Sequence, residues 1–173
     1  MKRKHIVLSV TVGVILISGI VALLWGGYRF ARHIDEKLEN SQSAVGGRMG
    51  LEILHCFNEK DSEGLKEMFC DLIKNTHDLD SEIEEAFAVI DKPIISYRPF
   101  QIGGEEYRRE GVITKSWISA DIQNVKISEE ERYDVVFSAN LVTGKGDVFI
   151  GVDRIAIYDD NDNLICTIGA NVL

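Results

Sequence analysis

The sequence predicts an α+β domain attached to a membrane by an N-terminal transmembrane helix. Three observations predict it. Ile6 to Trp25, IVLSVTVGVILISGIVALLW, is twenty residues without a charge. From about Ala44 to Ile90 apolar side chains recur at helical spacing. After Pro93 the period changes to alternation, and strands separated by polar turns follow. The plan is therefore three helices packed on a bent, mostly antiparallel sheet of about four to five strands.

At about 1.5 Å per residue the apolar run spans roughly 30 Å as a helix, the thickness of a bilayer's hydrocarbon core. Lys2, Arg3 and Lys4 precede it. The positive-inside rule then places the N-terminus in the cytoplasm and the remainder outside. Trp25 and Tyr28 fit an interfacial aromatic belt. The run is longer than a signal-peptide core and no A-x-A-like site follows it, so a retained signal anchor is expected. Ser18, Ala22 and Gly26 share one helix face, where a second copy can approach closely to form a homodimer. Residues 1–28 thus read as the anchor, with a cytoplasmic tail at 1–5 and the span at 6–25. Residues 29–42 read as a juxtamembrane stalk, and 43–173 as the extracytoplasmic domain.

Five of the 19 basic residues precede Ile34, and none of the 28 acidic ones does. The remainder carries 14 basic and 28 acidic side chains, a balance of −14. That surface repels nucleic acid and suits a basic partner, such as an envelope or secreted protein, or a cationic ligand. Cys56, Cys70 and Cys166 are too few for a disulfide framework and read as small core residues. None follows the apolar run closely, so the anchor is protein rather than lipid.

In the outer chain, Val45, Met49, Ile53, Leu54 and Phe57 define a first helix from about Ala44 to Glu59. Gly46, Gly47 and Gly50 interrupt its early turns. Asp61 or Ser62 caps a second helix striped by Leu65, Met68, Phe69 and Leu72. Ser81-x-x-Glu84 is a capping-box pattern opening a third, with Ile83, Phe87 and Ile90 inward. Ile94 to Ile102 reads as a strand that Pro99 restricts to an edge or bulged position. Gly103 to Gly111 reads as a charged loop, and Val112 to Ile127 as one long strand. Arg132 to Thr143, Val148 to Tyr158 and Leu164 to Ile168 complete the sheet. The segment from Val148 is apolar on both faces, as a central strand should be.

The stretch LEILHCFNEKDSEGLKEMFC resembles the helix–turn–helix opening of nuclear-transport-factor-two-like, or cystatin-like, domains. There a phrase of the type ALxxxDxxxLxxLF recurs, and Asp61, Leu65, Met68 and Phe69 stand at its positions. LDSEIEEAFAVIDKPIISY, followed by four long strands, is similar to one uncharacterised branch of anchored or lipid-modified extracytoplasmic bacterial proteins. The resemblance covers about residues 43–169 and implies a cone of helices and bent sheet. It implies no activity, because that fold hosts isomerases, dehydratases and non-catalytic adaptors.

A catalytic cone places Asp, His, Tyr or Arg in its pocket. Asp153 and Arg154 are the charges in the otherwise apolar strand from Val148, and alternation lets at most one face a pocket. Tyr97, Trp117 and Asp121 are the other candidate wall residues. Cross-strand pairing or a half-exposed strand position is the simpler account of each. His55 and His77 lack metal-ligand spacing. Asp159 to Asn163 departs from an EF-hand loop at Leu164 and Ala170 and reads as a polar turn. No catalytic residue, metal or cofactor is expected. The sequence therefore points to a non-enzymatic extracytoplasmic binding module. The alternative is a small-molecule isomerase or lyase with an acid in the cone.

Overall fold

Helical spacing and alternation both reappear in the computed structural model, which describes residues 41–172. The tail, the apolar run, its Ser18–Ala22–Gly26 face and nearly all of the stalk lie outside the described residues. Among the described residues no helix is long and apolar enough to cross a membrane.

Helix α1 (Gln42–Glu59) buries Ile53, Leu54, Cys56 and Phe57. Its early glycines do not interrupt it. A Cβ on Gly46 would lie 2.9 Å from Ile102 Cγ2, and one on Gly50 would lie 3.2 Å from Phe100 Cε2. The glycines let the chain around β1 approach the helix, which offsets their poor helix propensity.

The expected second helix is two short ones, α2 (Ser62–Glu67) and α3 (Asp71–Thr76). Asp61 caps α2 by accepting from Gly64 N at 2.9 Å. The break has a backbone cause. Cys70 N donates to Val152 O at 2.8 Å, and Val152 N donates to Met68 O at 2.9 Å. Met68 to Cys70 thus pairs with the start of a strand instead of continuing a helix. Helix α4 (Leu79–Val89) begins before the expected capping box, because Asp78 caps it through Ser81 N. Ser81 lies inside the first turn. Lys60 Nζ donates to Phe87 O at 2.8 Å and also to Ile90 O, tying the α1–α2 connection to the end of α4.

Five antiparallel strands follow in sequential order: β1 (Gln101–Arg109), β2 (Val112–Lys126), β3 (Arg132–Val142), β4 (Gly151–Tyr158) and β5 (Leu164–Gly169). Two expectations are corrected at the start of the sheet. Residues 94–100 form an extended segment with one isolated bridge, Ser96 to Lys126, rather than a strand. Pro93 and Pro99 bring no N–H to a ladder there. The supposed loop from Gly103 is β1 itself, exposed along almost its whole length. An edge ribbon needs no apolar side, so its charges concealed it, and they blunt the edge against aggregation. Glu110 and Gly111, both at positive φ, make the two-residue turn into β2. A 3₁₀ turn, Asp147–Phe149, takes the place of the expected first residues of β4.

The helices cover one sheet face. Ile118, Ile122, Val135, Phe137, Ile155 and Ile157 meet Ile53, Phe57, Leu65 and Ile83 in one core. All three cysteines are buried there as free thiols. Burial pushes the Cys56 thiol up to about 11, helped by Asp61 and Glu52. Burial and Glu85 do the same for Cys166.

Candidate functional site

The side of the sheet facing away from the helices is built by strict alternation. In β2 the helix-facing Ile118, Ala120 and Ile122 are buried, and Trp117, Ser119 and Asp121 between them are half-buried on the other side. In β3 the same holds for Val135, Phe137 and Ala139 against Val136 and Ser138. Ser119 pairs with Ser138, and Ser138 with Arg154, so one row of polar residues crosses three strands.

Of the sheet's irregularities in register, the one between Ser138 and Ala139 makes the site. Ser138 pairs with Arg154 but Ala139 pairs with Val152, which leaves Asp153 as the extra residue of a β-bulge. Asp153 and Arg154 therefore both reach the side of Ser138. This corrects the expectation that at most one of them could. Asp153 is 0% exposed. Its carboxylate accepts from Ser138 Oγ and, at 3.4 Å, from Asn140 Nδ2. Its partners are two neutral donors. Its carbonyl accepts from Ala170 N at 2.9 Å. Gly169, at φ +72°, makes this approach possible, because a Cβ there would sit 2.3 Å from Asp153 O.

Over this floor lies a cavity of about 440 Å³ whose lining includes Trp117, Ser119, Val136, Ser138, Arg154 and Asn171, with Phe137 of β3 also at its edge. The volume suits a small organic molecule. Arg154 Nη2 donates to Tyr158 Oη at 3.4 Å, across Ala156, which is 1% exposed. Ser138 Oγ lies 3.5 Å from Asn171 Oδ1. Its single proton goes to Asp153, so its lone pairs and the Asn171 amide are what it offers the cavity.

Of the four candidate wall residues, the structure gathers three. Trp117 lines the cavity and Asp153 lies beneath it. Asp121 stands one row on, opposite Val136. Gln123 Nε2 donates to its Oδ2 at 2.8 Å, and its buried Oδ1 has no donor. Tyr97 is elsewhere, stacked on Phe100 at 5.6 Å beside α1. Sequence reasoning missed Ser119, Ser138 and Asn171. The two serines did carry a signal, as polar residues in phase with Trp117 and with Asn140.

The space between helices and sheet holds side chains. Phe57, Phe69, Phe137, Leu65, Ile73 and Ile83 fill it, each at most 1% exposed. His55 is exposed, and His77 Nδ1 lies 2.9 Å from Glu82 Oε1. Among the described residues no group of three or more His, Cys, Asp or Glu stands close enough to hold a metal ion. The turn after β4 is held by Asp159, which accepts from Asn161 N at 2.8 Å, Asn163 N at 2.9 Å and Asn163 Nδ2 at 2.9 Å. These bonds, the Asn163 side chain's first, hold its carboxyl below the usual range.

Residues 52–160 match a family described as a domain of unknown function, DUF5104. No curated protein matches the chain.

Proposed function

The chain belongs to the DUF5104 family of unknown function, and we propose that it is a non-enzymatic binding module that works through the open face of its sheet. The observation that carries this is the contrast between the two faces. The side an enzyme of the resembled cone type would use is packed with Phe57, Phe69 and Phe137. The other side offers a cavity bounded by Trp117, Ser138 and Arg154. The rival reading, an isomerase or lyase with an acid in an interior pocket, loses its room. Asp153 is spoken for by Ser138 and Asn140 on the opposite face.

The same proposal includes the resembled cone fold and the location. Residues 6–25 anchor the chain in a membrane, with residues 1–5 in the cytoplasm and the domain outside. The twenty uncharged residues and the three basic residues before them support this. The partner class that suits an acidic domain is a basic envelope or secreted protein. Pairing of two copies through Ser18, Ala22 and Gly26 belongs to the same reading.

Two experiments test it. A photo-crosslinking amino acid is placed at Ser119 on the open face, or at the exposed Glu84 on α4, in the full chain in its host cells. Specific adducts at position 119 and none at position 84 are expected. Identical adducts at both, or none at 119, would remove the open face as the binding surface. Protease added to wall-free cells should digest the chain beyond Arg32, and full protection would refute the outside location.

A further inference from the structure

We propose that the open-face cavity binds a small carboxylate carrying a planar apolar group, with Arg154 holding the carboxylate and Trp117 the apolar part. This rests on the open face being the binding surface.

Beyond Ile34 acidic side chains outnumber basic ones 28 to 14, so an arginine there has carboxylates in excess to pair with. Lys66, Lys74, Lys92, Lys126, Arg108 and Arg132 do so. Among the described residues Arg154 makes no ion pair. Lys60, Arg98, Arg109, Lys115 and Lys145, which make no ion pair either, are exposed to water, whereas Arg154 is half-buried. It meets the Tyr158 phenol at 3.4 Å. The nearest acid in sequence, Asp153, is turned to Ser138 and Asn140. The guanidinium is left with donors to spare in a half-buried setting, and its fork geometry matches a carboxylate.

The walls agree with that charge. Ser119 brings a hydroxyl and Asn171 an amide, both able to donate to an anion. Val136 and the Trp117 ring give the cavity its apolar part, and a flat group can stack on the indole. A cationic ligand would face Arg154 at contact distance, the Asp153 carboxylate is held by Ser138 and Asn140, and Asp121 stands one row on. The acidic surroundings act at longer range, where salt screens them within about 8 Å at physiological ionic strength. The size, about 440 Å³, accommodates a small molecule.

The test uses the full chain in nanodiscs and three isosteric probes followed by fluorine NMR: 4-fluorobenzoate, 4-fluorobenzamide and 4-fluorobenzylamine. The acid is expected to bind at least about tenfold more tightly than the amide or the amine, as a charge-assisted bidentate contact implies. Arg154→Gln should weaken the acid by at least about tenfold, and Arg154→Lys by less, because it keeps the charge and loses the fork. Benzoate should also protect Arg154 from phenylglyoxal, read by mass spectrometry. Equal binding of the amine, unchanged binding of the acid to a folded Arg154→Gln chain, or no binding of the acid to the native chain overturns the proposal. Crosslinking at position 119 that persists in any of those cases keeps the binding face and removes only the ligand class. Its loss as well removes both.

Discussion

Truncating Phe57 to Ala tests the division of labour between the two sheet faces. Phe57 is 0% exposed and sits edge-on to Phe87, with ring centroids 5.4 Å apart and planes at 76°. Removing a buried phenyl group forfeits its transfer free energy and leaves a void, together roughly 3–5 kcal/mol. The aromatic pair accounts for about 0.5–1.5 kcal/mol of that. A domain of this size has a total stability of roughly 7–20 kcal/mol, so the variant should still fold. With a urea m-value of about 2 kcal/mol/M, the midpoint should fall by about 1.5–2.5 M. Circular dichroism of the full chain in nanodiscs, titrated with urea, reads this. Benzoate binding by the folded variant should stay within about twofold of wild type, because Phe57 lies on the far side of the sheet. A loss of stability under about 1 kcal/mol would mean that the interior tolerates vacancy and can serve as a pocket. Loss of probe binding with the fold intact would place the ligand site inside, and the proposed division would be wrong.

Gly169→Ala should destabilise by roughly 2–3 kcal/mol, since it combines a left-handed backbone with a Cβ 2.3 Å from Asp153 O; an unchanged melting temperature would refute this. Lys60→Met should cost roughly 1–2 kcal/mol by leaving the Phe87 and Ile90 carbonyls without their donor. Its signature is faster amide hydrogen exchange at the end of α4, and uniform exchange along that helix would contradict it. Asp159, Glu129 and Glu131 have carboxyls held below their ordinary values, chiefly by Asn163, Lys126 and Lys92 respectively. A lowered folded pKa favours the ionised native state, so this stability is complete above the unfolded values near about 4 and fades as pH falls through the folded ones. The urea midpoint should therefore hold from pH 7 to 5 and drop below 4, less steeply in Asp159→Asn; equal acid slopes in the two proteins would count against the assignment. Cys56 and Cys166, with thiols pushed up to about 11, should resist iodoacetamide at pH 7.5 until urea unfolds the chain. Rapid alkylation of the native protein would contradict their burial.

What the sequence revealed and what it hid divide along physical lines. The long strands β2 and β3 were legible because one face of each is buried and period two leaves a plain trace, as in Val135, Phe137 and Ala139. Helix α1 was legible for the same reason at period 3.6. Strand β1 was hidden because an exposed edge ribbon has no apolar side to mark it. The break between α2 and α3 was hidden because it depends on Val152, more than eighty residues away, which takes the backbone bonds of Met68 and Cys70. Trp117 and Asp153 were legible as polar or aromatic residues in an apolar setting. Tyr97 gave the same local signal and stands elsewhere, because an aromatic residue in an extended segment says nothing about which layer it will join. Arg154 was discounted for a sound reason, strict alternation, that one bulge suspended.

That bulge links stability to the site. Asp153, the residue the bulge inserts into β4, accepts at its carbonyl from Ala170 N, which continues the pairing of Arg154 with Gly169. The contact fixes the chain just beyond β5, where Asn171 follows and forms one wall of the cavity. The same insertion turns the Asp153 carboxylate down onto Ser138 and Asn140, so it cannot neutralise the guanidinium beside it. One added residue thus sets the floor, one wall and the unpaired charge together. Deleting Asp153 would leave Val152 beside Arg154, still opposite Ala139 and Ser138, so the core register would survive while the buried carboxylate and its bonds to Ser138 and Asn140 would be lost. The core register does not depend on the bulge, so the inserted residue acts on the open face, where its carboxylate holds Ser138 and its carbonyl holds Ala170 next to Asn171.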